Sequence, residues 1–591
     1  MRLFGFALLS TIALACTPTP ATDPAVSAES QLQAVIDEHW DYSLRESPLM
    51  ATQAGVADYN HRLPGATEAD GQRRLAMEQE FLLRLQELDP EALSENGRIN
   101  KELLEWVLED SISSYQLNLS RIPFNTFWGF YMAVLSMTNG LPTATVDDYQ
   151  DYIARLNDIP RYFSENIDNM RAGISTGFTL PRIVIDGILP TIEAQVYAEP
   201  EESSFFEPFG KFGDGIPEAD QARLLLAGRE AIRDSAIAAF ANLVTFFKDE
   251  YLAAATETLG AEQLPNGEAY YAHQINAYVT ITDKTSTEIH NIGLAEVARI
   301  RGEMDALIAE LEFDGDFAAF TEFLRTDPQF YAVSAEELLK EAAYTAKRID
   351  YLMPGFFGKL PRLSYGVVPV PDEVAPNYTT AAYVGAPIGG TIGGAFWVNT
   401  YALDQRPLYE LTALTLHEAV PGHHHQGAIS QELENMPDFR RNLYISAYGE
   451  GWGLYSEKLG IEMGVYRNAY ENFGRLSYEM WRACRLVIDT GIHSQGWGRE
   501  QALDYLADNT SLSRGNIRAE IDRYISWPGQ ALSYKLGELR IWELRHRAEE
   551  ALGDDFDLRE FHDVLLGNGA LPLSMLENVI DRYIAKKGTE S

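Results

Sequence analysis

One stretch of the chain holds four of its eleven histidines, Leu416-His417-Glu418-Ala419-Val420-Pro421-Gly422-His423-His424-His425-Gln426. The apolar segment before it, residues 408–415, is predicted to be a helix that leads into this stretch. A His-Glu pair at the end of an apolar helix, followed by another histidine, is typical of zinc hydrolases. Their usual motif is His-Glu-x-x-His, in which both histidines bind the metal and the glutamate is the base. A histidine-rich surface turn without a metal is the alternative interpretation.

The zinc motif is altered here, because Pro421 occupies the fourth position after His417. His423 lies six residues after His417, roughly 240° around a regular helix and therefore on the wrong face. Since Pro421 lacks the N–H that would bond to the His417 carbonyl, we expect the helix to bulge at residues 420–422. Such a bulge returns His423 to the side of His417. His424 shares the face without a bulge but lies about 10 Å further along the axis, so both remain open as the second ligand and His423 is preferred.

The motif also carries a family resemblance. His-Glu-Ala-x-Pro-Gly-His-His-x-Gln, followed by Glu-Gly-Trp-x-Leu-Tyr-x-Glu, resembles the bacterial family known as domain of unknown function 885. Three further segments resemble it, residues 171–177, 481–493 and 528–537. That family is similar to zincin-like metallopeptidases such as thimet oligopeptidase, angiotensin-converting enzyme and carboxypeptidase Taq. The resemblance implies a mainly α, large helical zincin-like fold with a deep central cleft, a small antiparallel β element beside the active-site helix, and Zn²⁺ as the cofactor.

Two carboxylates downstream complete the expected centre. Glu450 and Glu457 are seven residues apart and therefore share one face of a helix. The resemblance implies that Glu450 is the third zinc ligand, since a helix after the motif usually provides it in this superfamily. Glu457 is expected to accept a hydrogen bond from a ligand histidine. A pair of solvated acids is the alternative.

The first half of the mature chain is repeatedly helical, and the segment before the histidines is not. Amphipathic periodicity recurs from Gln31 to about Asp350, whereas residues 353–401 are rich in Pro and Gly. Gly390–Thr400 is predicted to be a strand entered through a glycine turn. In zincins an antiparallel edge strand beside the site binds the substrate backbone, so the resemblance implies this role here, with Asn399 as a substrate-binding residue. A buried β-hairpin is the alternative.

One motif is expected to be a decoy. Gly173-Ile174-Ser175-Thr176-Gly177 matches the Gly-x-Ser-x-Gly nucleophile elbow, which needs a strand before it and a helix after it. The residues before it are predicted to be helical instead. We therefore interpret the motif as the C-terminal turn of a helix and not as a serine nucleophile.

A polar stripe follows the metal motif. Arg482, Arg485, Asp489 and His493 are spaced by three, four and four residues, and the rest of this helix is apolar and therefore buried. The functional interpretation is that the two arginines hold a substrate carboxylate and that Asp489 orients a catalytic His493. A structural salt-bridge network is the alternative.

Two tyrosines lie a little over 100 residues beyond the first metal-binding histidine. In related peptidases a Tyr or His at a comparable distance stabilises the oxyanion. The resemblance implies this catalytic role for one of them, with Tyr534 preferred over Tyr524, and Tyr524 is then a candidate substrate-binding residue. Either tyrosine is also compatible with a place in the core.

The N-terminus is predicted to be an export signal. Residues 1–15 form a short signal peptide, and Cys16 resembles the lipidated cysteine of a bacterial lipobox, although its −3 position is Ala and not Leu. An ordinary signal peptidase site is the alternative. Residues 16–30 are predicted to be a flexible tether and 31–591 the catalytic domain. If Cys16 is lipidated, Cys484 has no partner for a disulfide.

Composition narrows the function further. The formal net charge of −40 disfavours nucleic-acid binding, and no later stretch reaches 18 apolar residues, so membrane attachment is expected only through an N-terminal lipid. We predict a zinc-dependent metallopeptidase of the periplasm or cell envelope that hydrolyses short peptides, with Glu418 as the base. The alternatives are a non-catalytic peptide-binding or scaffold lipoprotein on the same fold and another metal-dependent amide or ester hydrolase.

Overall fold

The computed structural model describes residues 27–372, 375–386 and 391–590. The predicted signal peptide, Cys16, most of the predicted tether and Gly390 lie outside the described residues. Within these residues the chain is mainly helical, as predicted, and no helix is long and apolar enough to cross a membrane. That residues 31–591 form one catalytic domain stays a prediction.

Among the described residues, fifteen α-helices precede a small sheet and ten follow it. The first group comprises α1 Ala28–Glu46, α2 Pro48–Gln53, α3 Glu68–Gln86, α4 Glu95–Gln116, α5 Phe130–Leu135, α6 Val146–Thr176, α7 Arg182–Glu193, α8 Glu207–Gly210, α9 Glu218–Ala231, α10 Ala238–Phe246, α11 Leu252–Ala254, α12 Gly267–Val279, α13 Ser286–Glu310, α14 Phe317–Thr326 and α15 Ala335–Leu352. The sheet comprises β1 Tyr365–Pro369, β2 Ala381–Val384 and β3 Gly394–Val398. The second group comprises α16 Leu411–Glu418, α17 His423–Glu432, α18 Asp438–Arg441, α19 Ser446–Glu462, α20 Ala469–His493, α21 Arg499–Asn509, α22 Arg514–Ser526, α23 Ser533–Leu552, α24 Leu558–Leu566 and α25 Leu573–Glu590.

The decoy motif is the end of the long helix α6. A capping box begins this helix, in which the Thr145 hydroxyl accepts from the Asp148 N–H and Asp148 accepts from the Thr145 N–H. The helix ends at Gly177, whose φ of 74° is the left-handed conformation of a helix C-terminus. The Ser175 hydroxyl donates to the carbonyl of Ala172 in the last turn. The prediction of a helix end is confirmed.

The sheet is mixed, and the expected strand lies at its centre. β3 pairs with β1 in parallel and with β2 antiparallel, in the order β1-β3-β2. The prediction of an antiparallel edge strand over Gly390–Thr400 is therefore wrong in its position. Residues 394, 396 and 398 of β3 are buried, as expected of a strand with neighbours on both sides. The edge strand near the histidine motif is β2.

Helix packing places the histidine motif inside the protein. α16 packs against α15, α19 and α20, α13 packs along α20, and α19 packs along α23. The contact between α19 and α23 is very close, because a Cβ atom on Gly451 would lie 2.5 Å from the carbonyl carbon of Gly537. Only glycines allow the two backbones to approach in this way. The helix that carries Glu450 is thus fixed by backbone contact.

Candidate metal centre

The histidine motif forms two helices separated by a short break. α16 ends at Glu418, α17 begins at His423, and the Val420–Pro421 peptide between them is cis. The Trp452 indole N–H donates to the Pro421 carbonyl at 2.8 Å and holds the break against α19. The expected interruption at residues 420–422 is confirmed.

The break brings His423 to the side of His417. The two imidazole rings lie 4.8 Å apart, and the Nε2 atoms of both lie 3.5 Å from Glu450 Oε2. One ligand atom from each of the three residues falls within 4.8 Å of the others. Ligand atoms about 2.0–2.2 Å from a tetrahedral zinc lie about 3.3–3.6 Å from one another. The residues that the sequence selected as metal ligands therefore fit a zinc ion in type and in spacing.

His424 turns away from this centre. Its Nδ1 lies 3.1 Å from the Tyr383 hydroxyl, and its ring packs against Tyr365 with the centroids 4.5 Å apart. Burial lowers the pKa of His424 to about 4, so its imidazole is neutral at physiological pH. Of the two histidines left open by the sequence, the structure places only His423 beside His417.

Two features hold the His417 imidazole in place. Its Nδ1 lies 2.8 Å from Glu457 Oε1, and an N–H donated to this carboxylate leaves Nε2 to face Glu450. The ring lies directly on α19 at Gly453, where a Cβ atom would approach the ring Cε1 to 2.6 Å. The predicted hydrogen bond of Glu457 to a ligand histidine is present. The role of Gly453 was not predicted.

The buried carboxylates hold a proton on His417 when no metal is bound. Burial by itself lowers the pKa of His417, but contacts with Glu450 and Glu457 outweigh burial and raise that pKa to about 10. Burial favours the neutral form of Glu450, yet the two imidazoles keep the pKa of its carboxyl well below its usual range. A metal ion must displace the imidazolium proton, so metal affinity rises with pH.

The expected base, Glu418, lies at the edge of the sheet. Its Oε2 accepts a hydrogen bond of 2.8 Å from the N–H of Tyr383 in β2. β2 pairs with β3 on its other side, so this N–H belongs to the open edge of the sheet. An edge strand does lie beside the motif, but it is β2 and not the predicted β3. Tyr383 was missed, because sequence patterns do not say which strand lies outermost.

Tyr444, which was not among the predicted site residues, also contacts the centre. The Tyr444 hydroxyl donates to Glu450 Oε1 at 3.0 Å, while the ring remains 64% exposed. The predicted oxyanion residue Tyr534 is buried, and the centroid of its ring lies 5.9 Å from the guanidinium carbon of Arg482, whose Nη2 lies 3.8 Å from Glu457. Tyr444 precedes α19, so helical spacing from Glu450 gives no hint of this contact.

The arginine half of the predicted stripe lies inside the protein beside the centre. Arg482 Nη2 lies 3.8 Å from Glu457, and Arg485 donates to Glu520 at 2.9 Å and to the Tyr524 hydroxyl at 2.8 Å. Tyr524 is fully buried and donates in turn to Glu520. Tyr524 is therefore a core residue that positions Arg485, and its predicted contact with substrate is not supported.

The other half of the stripe is separate from the centre, and Asp489 does not orient His493. Asp489 accepts from the Tyr271 hydroxyl at 2.7 Å and from the Gly529 N–H at 3.2 Å. His493 accepts from the Ala261 N–H through Nδ1 and lies 2.9 Å from the Tyr524 carbonyl through Nε2. Both side chains are buried and joined to the backbone of other elements. Neither residue forms a salt bridge within the described chain, so this half of the stripe is a buried hydrogen-bond network, and the catalytic role of His493 is corrected to a structural one.

Asn399 is also corrected. Its side-chain amide donates to the carbonyls of Ala375, Tyr378 and Thr379, and its Oδ1 accepts from the Tyr401 N–H. The residue is fully buried. All its hydrogen-bonding groups are used to fold the loop before β2, which excludes the predicted contact with substrate.

The chain matches a family model and two solved structures closely. The model of the family described as bacterial protein of unknown function (DUF885) matches residues 48–580. A crystal structure described as "the putative lipoprotein from Colwellia psychrerythraea" is 27% identical, with a TM-score of 0.88 over 95% of this chain and 100% of that one. A structure described as "a putative lipoprotein of unknown function from Shewanella oneidensis" is 19% identical, with a TM-score of 0.73 over 94% and 100% of the two chains.

More distant comparisons add no function. BsuCP, whose crystal structure is 12% identical, has a TM-score of 0.36 over 95% of this chain and 97% of that one. No common fold is established at this value. No protein of curated function matches the chain.

Proposed function

We propose that this chain, which belongs to the DUF885 family of bacterial proteins of unknown function, is an exported zinc metallopeptidase that hydrolyses short peptides. One observation carries the proposal: two imidazoles and one carboxylate converge with the spacing of a tetrahedral zinc site. His417, His423 and Glu450 would hold the ion. A glutamate adjacent to the first ligand supplies the base that peptide hydrolysis needs.

Each residue of the centre has a distinct task in this reaction. Zn²⁺ in such a site supplies a Lewis acid that activates water and polarises the scissile carbonyl. Glu418 takes the proton of the attacking water and passes it to the leaving amine. Glu457 keeps His417 in the tautomer that offers Nε2 to the metal. Tyr444, bonded to Glu450, and Tyr534, beside Arg482, are phenols that can donate to the developing oxyanion.

The edge of the sheet supports a peptide as the substrate. The open edge of β2 lies against the base through the Tyr383 N–H. An extended peptide that pairs with such an edge would bring its backbone past Glu418. A zincin-like fold with a deep cleft is part of the proposal, and it would admit flexible peptides of roughly 2–15 residues while excluding folded proteins.

Export and a lipid anchor are proposed from the N-terminus and from the two similar structures. Residues 1–15 have the composition of a signal peptide and end before Cys16. The similar chains from Colwellia psychrerythraea and Shewanella oneidensis carry the word lipoprotein in their descriptions. We place the mature chain in the periplasm or cell envelope, attached through a lipid on Cys16.

Metal analysis with a single variant tests the proposal. The mature chain purified without chelators should hold about one zinc ion. Glu418→Gln should keep that zinc and lose about 10²–10⁴-fold of the turnover on a peptide library, because it removes the base and spares the ligands. A chain that neither holds nor takes up zinc would contradict the site. Zinc binding without cleavage of any peptide would favour a peptide-binding lipoprotein instead.

A further inference from the structure

Arg523 of α22 lies next to two aromatic rings that stack on each other. Its guanidinium carbon is 5.1 Å from the centroid of the Phe127 ring and 5.5 Å from that of Trp527. The two rings stack with centroids 5.7 Å apart and an interplanar angle of 28°. We call Arg523, Phe127 and Trp527 the arginine–aromatic subsite. The chemistry proposed above does not use it.

The loop that carries Phe127 is built to present aromatic rings to solvent. Asn125 Oδ1 accepts from the N–H groups of Phe127 and Trp128 at 2.7 and 2.8 Å. Thr126 is bonded to Ser526, which ties the loop to the end of α22. Yet Phe127 is 59% and Trp128 45% exposed. A rigid loop that holds large apolar rings in water indicates a binding surface.

Hydrogen bonds connect this subsite to the metal centre. Arg523 Nη2 donates to Gln530 at 2.6 Å and to the Tyr534 hydroxyl at 3.4 Å. Gln530 in turn donates to the hydroxyl of Ser446, which begins the helix carrying Glu450. The Tyr534 ring centroid lies 5.9 Å from the guanidinium carbon of Arg482, whose Nη2 lies 3.8 Å from Glu457, the carboxylate bonded to His417. The subsite therefore borders the proposed reaction centre.

The side chains around Tyr534, which we call the wall, include more arginines than carboxylates. Arg485 lies 4.2 Å and Arg482 5.9 Å from the centroid of the Tyr534 ring, and Arg523 bonds to its hydroxyl. Glu520 is shared between Arg485 and Arg523, at 2.9 and 3.6 Å. The only other carboxylate in contact within the described chain is Glu457, 3.8 Å from Arg482 and already bonded to His417.

All three guanidinium groups also have an N–H without a hydrogen-bond partner among the described residues. They are Arg482 Nε, Arg485 Nη1 and Arg523 Nε, on side chains that are 7%, 2% and 14% exposed. Buried donors without acceptors are costly, and an anion brought to the wall offsets part of that cost. In a chain of net charge −40, this local excess of positive charge is suited to attract an anionic group.

We propose that the arginine–aromatic subsite binds the C-terminal residue of the peptide substrate, an inference that rests on the proposed peptidase function. Arg523, the most exposed of the three arginines at 14%, pairs with the terminal carboxylate. Phe127 and Trp527 contact the terminal side chain, which favours large apolar residues. Arg482 and Arg485, which are more buried than Arg523, add to the positive charge that attracts this carboxylate. The enzyme then cleaves near the carboxyl end of its substrates.

Matched peptides test this assignment. The wild type should cleave peptides ending in a free Phe carboxylate about 10–100-fold better, in kcat/KM, than the same peptides ending in an amide, as expected for a hydrogen bond to a charged group. Arg523→Gln should bring that ratio close to one. Arg518→Gln, an exposed residue of the same helix, is the matched control and should keep the wild-type ratio. Equal cleavage of acid and amide by the wild type would overturn the inference and leave the metal chemistry standing.

Two further measurements separate the subsite from folding and from catalysis. Phe127→Ala alters an exposed ring and should lower the preference for Phe-ending over Ala-ending peptides without lowering the melting temperature. N-acetyl-phenylalanine should bind the wild type by calorimetry more tightly than its amide does, and Arg523→Gln, with its zinc content checked, should lose the difference. Binding of this kind without peptide cleavage would support the subsite and contradict the peptidase. Equal binding of acid and amide would overturn the subsite.

Discussion

The metal centre and the cluster around Lys535 are both built from buried charged side chains, but they satisfy their charges differently. Lys535 Nζ contacts Glu296, Glu479 and Glu538 at 2.9, 2.8 and 2.5 Å. The protein itself therefore provides the cation that these carboxylates need. Glu450 contacts the Tyr444 hydroxyl and two imidazoles, and the imidazoles are neutral in the form that binds metal.

This difference separates a structural cluster from a candidate reaction centre. A buried carboxylate is stable only with a cation close to it. Around Lys535 that cation is covalently part of the chain, and the cluster joins α13, α20 and α23. At Glu450 the cation must be a proton on His417 or a metal ion, so the centre can exchange it. Burial and charge alone do not distinguish the two cases.

The largest effect is expected when a metal ligand is removed. His423→Ala should reduce the zinc content from about one ion per chain to nearly none and abolish turnover, because one of three ligands is lost. His424→Ala is the matched control, since it makes the same change on the next residue and should keep the zinc. Elemental analysis of gel-filtered protein measures both. Retention of zinc by His423→Ala with its loss from His424→Ala would show that the centre is assigned to the wrong histidine.

A smaller effect is expected at the Lys535 cluster, where a substitution should change stability and leave the zinc content unchanged. Lys535→Met leaves Glu538 buried without its cation, while Glu296 and Glu479 keep their contacts with Arg299, and should lower the free energy of unfolding by about 3–5 kcal/mol. Lys340→Met removes an exposed lysine that pairs with Glu336 and should cost less than about 1 kcal/mol. Denaturant unfolding gives both values. If folded Lys535→Met protein has lost its zinc, the two clusters are not independent.

The smallest effect concerns Glu410, a buried carboxyl that is hydrogen-bonded to Tyr478. The charges of Arg482 and Arg406 lower its pKa by less than burial raises it. Burial raises the pKa of Glu410 to about 7. The folded state thus holds this proton more tightly than the unfolded state, and the associated stability is fully present at acid pH and is lost as pH rises through 7. Glu410→Gln removes this dependence.

The pH dependence is measured as a difference between variant and wild type. The wild type should gain free energy of unfolding relative to Glu410→Gln as pH falls from about 8 to about 5. Glu434→Gln alters an exposed carboxyl and should show a difference from wild type that is constant with pH. Parallel curves for wild type and Glu410→Gln would show that Glu410 is ionised throughout and has a cation partner of its own.

Much of the centre was predictable because its causes are local. Pro421 lacks an N–H and so breaks the helix after Glu418, which is sufficient to predict that His423 returns to the side of His417. The seven-residue spacing of Glu450 and Glu457 puts both on the face of α19 that meets His417. Short-range sterics and helical spacing act within a few residues, so their effects can be predicted directly from the sequence.

The wrong predictions have a different cause, because they concern contacts between residues that are far apart in the sequence. Asp489 and His493 are four residues apart on one helix and were expected to contact each other, but each bonds to an element more than 30 residues away. β3 was expected at the sheet edge, although its sequence fits a central strand equally well. A residue with several acceptable partners takes the one that packing brings closest, and helical spacing does not contain that choice.

The sequence by itself determined the helical class, the break at Pro421, a short list of candidate metal ligands and the place of Ser175 at a helix end. Only the tertiary structure decided that His424 faces Tyr383, that Gly453 makes room for the His417 ring, and that Tyr444 and β2 border the centre. The first group depends on backbone geometry and helical spacing within a few turns. The second depends on which surfaces pack together across the whole chain, where many arrangements compete and small differences in burial and hydrogen bonding select one.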